Sequence, residues 1–248
     1  MTIMMKAVVL AAGKGTRLHT DEIDAPKVMR EACGKPLLQH VLDALNFISK
    51  KDIILVVGYK KENIINSFGD YPFVVQHEQL GTGHAVMAAE NEFINYNGPL
   101  LVCYGDMPAI KSEVYEQLII THLNEKNDCT LLTGESTLEM SFGRIVRDSL
   151  DKFLCVVEEK DCSPEQLLIK ELNTGVYVFN TQLLLKALKE LKNDNSQGEY
   201  YITDVPAIML ESGLKIGTLN KNLGDDIIGV NTALQLAAVE RILEARKK

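Results

Sequence analysis

Short apolar runs alternate with amphipathic stretches through the first half of the chain, and this order limits the folds that it can adopt. The apolar runs predict strands over Ala7–Leu10, Ile53–Val57, Phe73–Gln76, Pro99–Tyr104 and Cys129–Thr133. The stretches between them predict helices over Pro36–Phe47, Lys61–Ser67, Gly83–Phe93 and Glu113–Asn124. This alternation predicts an α/β fold, in which helices cover both faces of a doubly wound, mostly parallel, Rossmann-like sheet.

The second half of the chain indicates a smaller lobe. Strands are predicted over Gly143–Val146, Phe153–Glu158 and Gly175–Asn180, in a more antiparallel layer laid against the first sheet. Further predictions are helices over Leu183–Leu191, Ile202–Glu211 and Val230–Arg246, and a late strand over Lys215–Leu219. Because no linker or internal repeat interrupts the chain, we expect one domain over residues 1–248, with lobes at 1–134 and 135–229 and a C-terminal helix at 230–248.

Composition argues against several classes of protein. The 248 residues carry a formal net charge of −8, which argues against a nucleic-acid-binding module. No apolar run is long enough to cross a bilayer or to serve as a secretory signal, so the expected location is the cytoplasm. The five cysteines form no Cys-x-x-Cys pair, and we expect them to be reduced and structural.

The first predicted strand leads into a loop of small residues with cations nearby. The run Ala11–Arg17 contains Lys14 and Arg17, and Lys27 follows shortly after. Bare backbone N–H groups with fixed positive charge at a strand end suit a nucleoside triphosphate. Leu18 stands where a dinucleotide-binding loop needs its third glycine, and no Gly-Lys-Ser/Thr run completes a Walker loop. The alternative is a glycine-rich turn without a ligand.

Polar residues also follow the other predicted strands, at the edge of the sheet where ligands bind in this class of fold. Asp106 offers a carboxylate for Mg²⁺, although an aspartate in a tight turn is the alternative. Gln76 offers a donor and an acceptor to a pyrimidine edge. The glycine-rich run at Gly81 and Thr82 suits a base or a phosphate, or else only caps the next helix.

These motifs resemble those of the sugar-nucleotide pyrophosphorylases. The runs that carry the resemblance are Leu10–Arg17, Pro26–Val28, Gly34–Pro36, Gln79–Ala85 and Tyr104–Pro108. Later runs make the chain most similar to the uridyltransferase domain of the bifunctional N-acetylglucosamine-1-phosphate uridyltransferase/acetyltransferase. These later runs are Gly143–Arg147, Val157–Asp161, Asn173–Tyr177, Gly198–Asp204 and Gly229–Asn231. The runs keep the family's order, and the resemblance covers essentially the whole chain.

The resemblance implies a nucleotide-diphospho-sugar transferase fold and a reaction that makes UDP-N-acetylglucosamine and pyrophosphate from UTP and N-acetylglucosamine 1-phosphate. The nucleotide-binding residues, in the 1–134 lobe, would be Leu10, Ala11, Ala12, Gly13, Gln76, Gly81 and Thr82. The sugar-binding residues, mainly in the 135–229 lobe, would be Tyr104, Gly105, Gly143, Glu158, Asn173, Tyr201 and Thr203. Arg17 and Lys27 would be the catalytic cations, and Asp106 and Asn231 would hold the cofactor Mg²⁺.

The chemistry implied by the resemblance needs no general base, because the attacking phosphate oxygen is already ionised near neutral pH. Positioning and charge neutralisation would then supply most of the catalysis. Departures from the family pattern at Ala25, Arg30 and Phe142 bear on the sugar that is used. The alternatives are another sugar 1-phosphate, such as that of glucose or galactosamine, another nucleotide, or a non-catalytic regulator that binds nucleotide sugars. We expect no acetyltransferase domain, and the oligomeric state stays open.

Overall fold

The computed structural model describes residues 5–15, 25–135 and 141–247. Its strands are β1 (Lys6–Ala11), β2 (Glu31–Ala32), β3 (Lys35–Pro36), β4 (Ile53–Val57), β5 (Phe73–Val75), β6 (Pro99–Tyr104), β7 (Cys129–Gly134), β8 (Arg144–Arg147), β9 (Phe153–Val157), β10 (Leu172–Asn180) and β11 (Ile216–Lys221). Its α-helices are α1 (Leu37–Ala44), α2 (Lys61–Phe68), α3 (Thr82–Ala88), α4 (Ser112–Glu125), α5 (Pro164–Leu167), α6 (Thr181–Leu188), α7 (Val205–Glu211) and α8 (Ala233–Ala245).

Within these ranges, nine strands form one mixed sheet, and β2 and β3 form a separate two-stranded sheet. Seven strands of the large sheet lie in the order β11-β7-β10-β6-β1-β4-β5. Strand β1 pairs in parallel with both β4 and β6, β4 pairs in parallel with β5, and β11 pairs in parallel with β7. The predicted α/β fold with a mostly parallel central sheet is confirmed.

The predicted antiparallel pairing of the later strands is confirmed, but the prediction that they form a layer laid against the first sheet is wrong. Strand β10 lies inside the large sheet, antiparallel to β6 on one side and to β7 on the other, while β8 pairs with its start and β9 pairs with β8. Residues Leu172–Phe179 are all buried. A strand that is buried on both faces belongs in the middle of a covered sheet, because no side of it is suited to water. The division into two lobes stays a prediction.

Two apolar layers lie on opposite faces of the sheet, and alternate residues of β1 point into each of them. Ala7 and Val9 belong to the layer that includes buried residues of α1, α2, α4 and α8. Val8 and Leu10 belong to the layer that includes buried residues of α3, α6 and α7. With both faces covered, the carboxyl ends of the strands are the open edge that a ligand can reach.

Several predicted helices begin or end differently in the structure. The helix predicted over Gly83–Phe93 is α3 followed by a 3₁₀ turn at Glu90–Glu92, and the one predicted over Ile202–Glu211 begins with a 3₁₀ turn at Ile202–Asp204. Helix α8 begins later than predicted because the Thr232 side chain accepts a hydrogen bond from the Gln235 N–H and caps it. Within the described ranges, no helix has both the length and the apolar character needed to cross a membrane.

Candidate active site

A cavity of about 640 Å³ opens at the carboxyl ends of β1 and β6. Most of the predicted site residues line it: Leu10, Ala11, Ala12, Gly13, Lys27, Gln76, Gly81, Thr82, Tyr104, Asp106, Gly143, Glu158, Asn173, Tyr201 and Asn231. Residues that the sequence predicted separately for nucleotide, metal and sugar therefore share one space.

Two predicted site residues do not line the cavity, and a third is not described by the structure. Gly105 is not a lining residue; its N–H donates to the Leu10 carbonyl at 2.9 Å, which holds the end of β6 against β1. Thr203 is 2 % exposed and also does not line the cavity, although it acts on the Glu158 carboxyl. Arg17 lies outside the described residues.

The loop after β1 takes its shape from glycine. Gly15 has φ +61°, and a Cβ there would lie 2.5 Å from Lys27 Cβ. A larger residue would therefore collide with the segment that carries the lysine. Gly13 is exposed with nothing within 4 Å of its Cβ position, and the Ala12 carbonyl accepts a hydrogen bond from the Tyr59 N–H at 3.2 Å. The backbone around Gly13 is thus anchored on one side and open to a ligand.

Lys27, Asp106 and Asn231 form the charged centre of the cavity. The Lys27 ammonium makes an ion pair with Asp106 and donates to Asn231 Oδ1 at 2.8 Å. The Asn231 amide is oriented because its Nδ2 donates to the Gly229 carbonyl at 3.2 Å, and the Val230 N–H donates to the Asp106 carbonyl at 3.0 Å. Two side-chain oxygens therefore converge on one ammonium group, although Asp106 and Asn231 are 125 positions apart in the sequence.

This pair of donors fits a magnesium ion. Mg²⁺ prefers oxygen ligands and binds through one or two protein groups while water and substrate phosphates fill its other positions. A carboxylate and an amide carbonyl aimed at one point match that preference. No cluster of three or more His, Cys, Asp or Glu suited to a metal occurs in the described part of the chain. The protein would therefore supply a partial shell, which a nucleotide could complete.

Gln76 lies in the wall next to the loop of small residues. It is 4 % exposed, and its Nε2 donates to the Gly81 carbonyl at 3.1 Å and lies 3.1 Å from His84 Nδ1. Gln79 Nε2 donates to the Gln76 carbonyl at 3.1 Å. The two contacts of Nε2 hold the Gln76 side-chain amide in one orientation, while Gln79 fixes the main chain at Gln76.

Gly81 and Thr82 connect this wall to the segment that precedes α7. Gly81 has φ +111°, and a Cβ there would lie 2.5 Å from the Tyr200 carbonyl oxygen. That carbonyl accepts from the Gly83 N–H at 2.7 Å, and the Thr82 hydroxyl accepts from the Ile202 N–H at 3.0 Å. Helix α3 begins at Thr82, so this run also starts a helix, as the alternative interpretation held.

The opposite wall is built around Tyr104 and Asn173. The Tyr104 ring lies over Gly175, which has φ +75°, and any Cβ at Gly175 would overlap the ring. Burial raises the pKa of Tyr104, so its hydroxyl stays protonated. Asn173 Nδ2 donates to the Tyr177 hydroxyl oxygen at 2.6 Å, and the Asn173 N–H donates to the Gly143 carbonyl at 2.9 Å.

Carboxylates gather at the far end of this wall. Burial raises the pKa of Glu158, and the negative charges of Asp204, Asp161 and Glu159 add to the shift, while the nearby Thr203 hydroxyl opposes it. Burial, with a smaller contribution from Asp161, raises the pKa of Asp204 to about 6. This end of the cavity therefore favours neutral hydrogen-bonding groups over further anions.

Some lining residues were not predicted as site residues. They include Gln79, Phe142, Gln197, Glu199 and Gly229. Gln79, Glu199 and Gly229 lie within motifs that carry the resemblance, so the signal was present without an assigned role. Gln197 lies in an irregular segment and donates from Nε2 to the Tyr201 hydroxyl oxygen at 2.6 Å. No sequence pattern points to that contact.

Comparison with known proteins identifies the class that this fold and cavity define, the nucleotidyltransferases. The chain belongs to the MobA-like NTP transferase domain family, whose model matches residues 7–203. It is 44% identical over 240 residues to the bifunctional protein GlmU of Lactobacillus delbrueckii subsp. bulgaricus, covering 96% of this chain and 51% of that protein. It is 43% identical over 241 residues to the bifunctional protein GlmU of Streptococcus agalactiae serotype V, covering 97% and 52%.

The chain thus spans about half the length of the curated relatives it matches. A crystal structure of UDP-glucose pyrophosphorylase complexed with UDP-glucose has the same fold, with a TM-score of 0.76 at 19% identity over 99% of this chain and 100% of the other. The predicted resemblance to the sugar-nucleotide pyrophosphorylases is confirmed.

Proposed function

We propose that this chain transfers the uridylyl group of UTP to N-acetylglucosamine 1-phosphate and releases pyrophosphate. One observation carries the proposal: Lys27, Asp106 and Asn231 converge in the same cavity as the open loop around Gly13 and the Asn173 wall. A nucleotide, a metal and a sugar phosphate could then be bound side by side. The identity to GlmU proteins over nearly the whole chain supports the proposal.

The loop after β1 and Gln76 would bind the nucleotide. Backbone N–H groups near Gly13 suit phosphate oxygens because no side chain blocks the approach. Gln76 Nε2 is already bonded within the protein, so we expect Oε1 to face the base and accept a hydrogen bond from the N–H of a uracil ring.

In the proposed reaction, an oxygen of the sugar phosphate attacks the α-phosphorus of UTP. The new P–O bond forms as the bond to pyrophosphate breaks, and the leaving group takes that electron pair. Lys27 would neutralise charge on the phosphates. Bound Mg²⁺, held by Asp106 and Asn231, would supply further charge neutralisation for the same phosphates. The catalytic role of Arg17 stays a prediction.

The sugar would bind between Tyr104, Glu158 and Asn173. Glu158 would accept hydrogen bonds from sugar hydroxyls, and Asn173 would contact the acetamido group. The intact cluster of Lys27, Asp106 and Asn231 favours an enzyme over a non-catalytic regulator, since a regulator has no need for a cation site of this kind.

Pyrophosphate release tests the proposal. The purified protein is assayed with UTP and Mg²⁺, and N-acetylglucosamine 1-phosphate is compared with glucose 1-phosphate. Release with the acetamido sugar, lost in Asp106→Ala, supports the proposal. Asp43→Ala is the matched control, since Asp43 lies on the exposed side of α1 and pairs with Lys35 outside the cavity. Release with glucose 1-phosphate alone would change the assigned sugar, and release with neither sugar would refute the proposed uridylyl transfer.

A further inference from the structure

Tyr177 is a polar side chain buried directly behind the proposed sugar wall. It is 0 % exposed, and its ring stacks on Phe179 with 5.5 Å between the ring centroids. Its hydroxyl oxygen accepts a hydrogen bond from Asn173 Nδ2 at 2.6 Å. Tyr177 does not line the cavity, so its hydroxyl would act on a ligand through Asn173, to which it is hydrogen-bonded.

An irregularity in β10 brings the two side chains together. The pairing of β10 with β7 shifts register between Asn173 and Tyr177, and Gly175, between them, has φ +75°. Residues four apart in a regular strand are about 13 Å apart along the strand, too far for such a short contact. The bulge shortens that separation, as an extra residue in one strand does.

The contacts of Asn173 fix which end of its amide faces which way. Asn173 Oδ1 accepts from the Gly175 N–H at 3.3 Å, and a backbone N–H can only donate. The other end, Nδ2, must then meet an acceptor, and the Tyr177 oxygen is that acceptor. If the amide were flipped, its Nδ2 would face the Gly175 N–H, and two donors would meet. One N–H and one oxygen lone pair remain for a ligand, in fixed places.

A fixed amide favours an acetamido group over a hydroxyl. The acetamido group has one N–H and one carbonyl, so it needs a partner whose donor and acceptor are in the right order. A hydroxyl donates or accepts and tolerates either order. We infer that Tyr177 is a positioning residue for the sugar: it holds in place the Asn173 amide whose order the Gly175 N–H sets, so that the cavity selects N-acetylated sugar phosphates. This inference rests on the proposed function.

The test is Tyr177→Phe, which removes the hydroxyl and keeps the stacked ring. We expect KM for N-acetylglucosamine 1-phosphate to rise about tenfold, in line with a lost buried hydrogen bond. KM for UTP and kcat with saturating sugar should change less than about twofold. The preference for the acetamido sugar over glucose 1-phosphate, as a ratio of kcat/KM, should fall about tenfold. The matched control is Tyr71→Phe, a buried tyrosine outside the cavity, whose ratio should not change.

A double-mutant cycle separates positioning from packing. In an Asn173→Ala background, Tyr177→Phe should alter the preference by less than about twofold, because the amide that Tyr177 holds in place is gone. Equal effects in both backgrounds would show that Tyr177 only packs, and an unchanged preference in Tyr177→Phe would overturn the inference while the proposed function stands.

Calorimetric binding of UDP-N-acetylglucosamine and UDP-glucose gives the same comparison without turnover. If the wild type turns over neither sugar but prefers UDP-N-acetylglucosamine in binding, and Tyr177→Phe loses that preference, the proposed function is refuted and the inference stands. A wild-type protein that binds both nucleotide sugars equally would overturn the inference itself.

Discussion

Lys27 Nζ lies 2.8 Å from Asn231 Oδ1, a contact between residues 204 positions apart in the sequence. The same ammonium pairs with Asp106, and each side chain of that pair is 15% exposed. The proposed catalytic lysine therefore occupies the space between the two proposed metal ligands. A divalent cation that enters must share these oxygens with the ammonium or displace it. The Lys27 ammonium should therefore affect both the reaction and the binding of a metal ion.

Lys27→Met should lower kcat for pyrophosphate release by about 10²–10³, because an oriented cation in a partly buried site is lost. Steady-state kinetics with both substrates saturating measures the effect. Lys35→Met is the control, since Lys35 is more than half exposed and pairs with Asp43 outside the cavity. A loss below about tenfold in Lys27→Met would argue against a role for this ammonium in the reaction.

Lys27→Met should also bind Mn²⁺ more tightly than the wild type when no nucleotide is present. Because Mn²⁺ carries two charges, removing a unit positive charge about 4 Å away is worth roughly 2 kcal/mol in a watery site, or about a thirtyfold change in affinity. Electron paramagnetic resonance of free Mn²⁺ measures the dissociation constant. The added change Asp106→Ala should abolish the gain, and equal affinities in wild type and Lys27→Met would show that the ammonium and the metal do not compete.

Much of the fold could be predicted because apolar runs mark buried strands. The predicted bounds of the strands at Ile53–Val57 and Pro99–Tyr104 agree with the structure to the residue. The position of β10 could not be predicted, because an apolar run records burial and not which strands lie beside it. Sheet neighbours depend on contacts between distant segments, which periodicity does not contain.

In the candidate site, too, residues within sequence motifs could be predicted, and contacts that depend on the fold could not. The resemblance named Lys27, Asp106 and Asn231, and the structure brings them together. It gave no role to Tyr177, whose contact with Asn173 depends on a bulge in β10. Nor did it name Gln197, which reaches the cavity from an irregular segment with no periodic pattern.

Gly15→Ala should lower kcat, whereas a comparable glycine substitution away from the cavity should lower only the thermal stability. The left-handed backbone at φ +61° costs an alanine about 1–2 kcal/mol, and the new Cβ would also lie 2.5 Å from Lys27 Cβ. We expect a rate loss of about tenfold or more, since small misplacements of positioning groups are costly. Gly213→Ala is the control; it has φ +78° with nothing within 4 Å of its Cβ position. It should lower Tm by a similar amount and leave kcat unchanged, and equal kcat losses would assign the effect to backbone strain.

Asp204→Asn should stabilise the protein near pH 7.5 and not near pH 4. Burial raises the pKa of Asp204 from 3.8 to about 6, so the folded state disfavours its charged form. Below the unfolded value of 3.8 the group is protonated in both states and carries no penalty. As pH rises through the folded value of about 6 the penalty becomes complete, and the neutral amide removes it.

Thermal unfolding of the two proteins across this pH range measures the effect of Asp204→Asn. Partial exposure to water weakens the penalty to roughly 1 kcal/mol, which corresponds to a rise in Tm of about 2–4 °C at pH 7.5 for a chain of this size. The Asp204 side chain makes no capping bond to α7, so the substitution removes no such contact. A Tm difference that is the same at pH 4 and pH 7.5 would mean that the charge of Asp204 is not the cause, and that its carboxylate is well solvated beside the proposed sugar site.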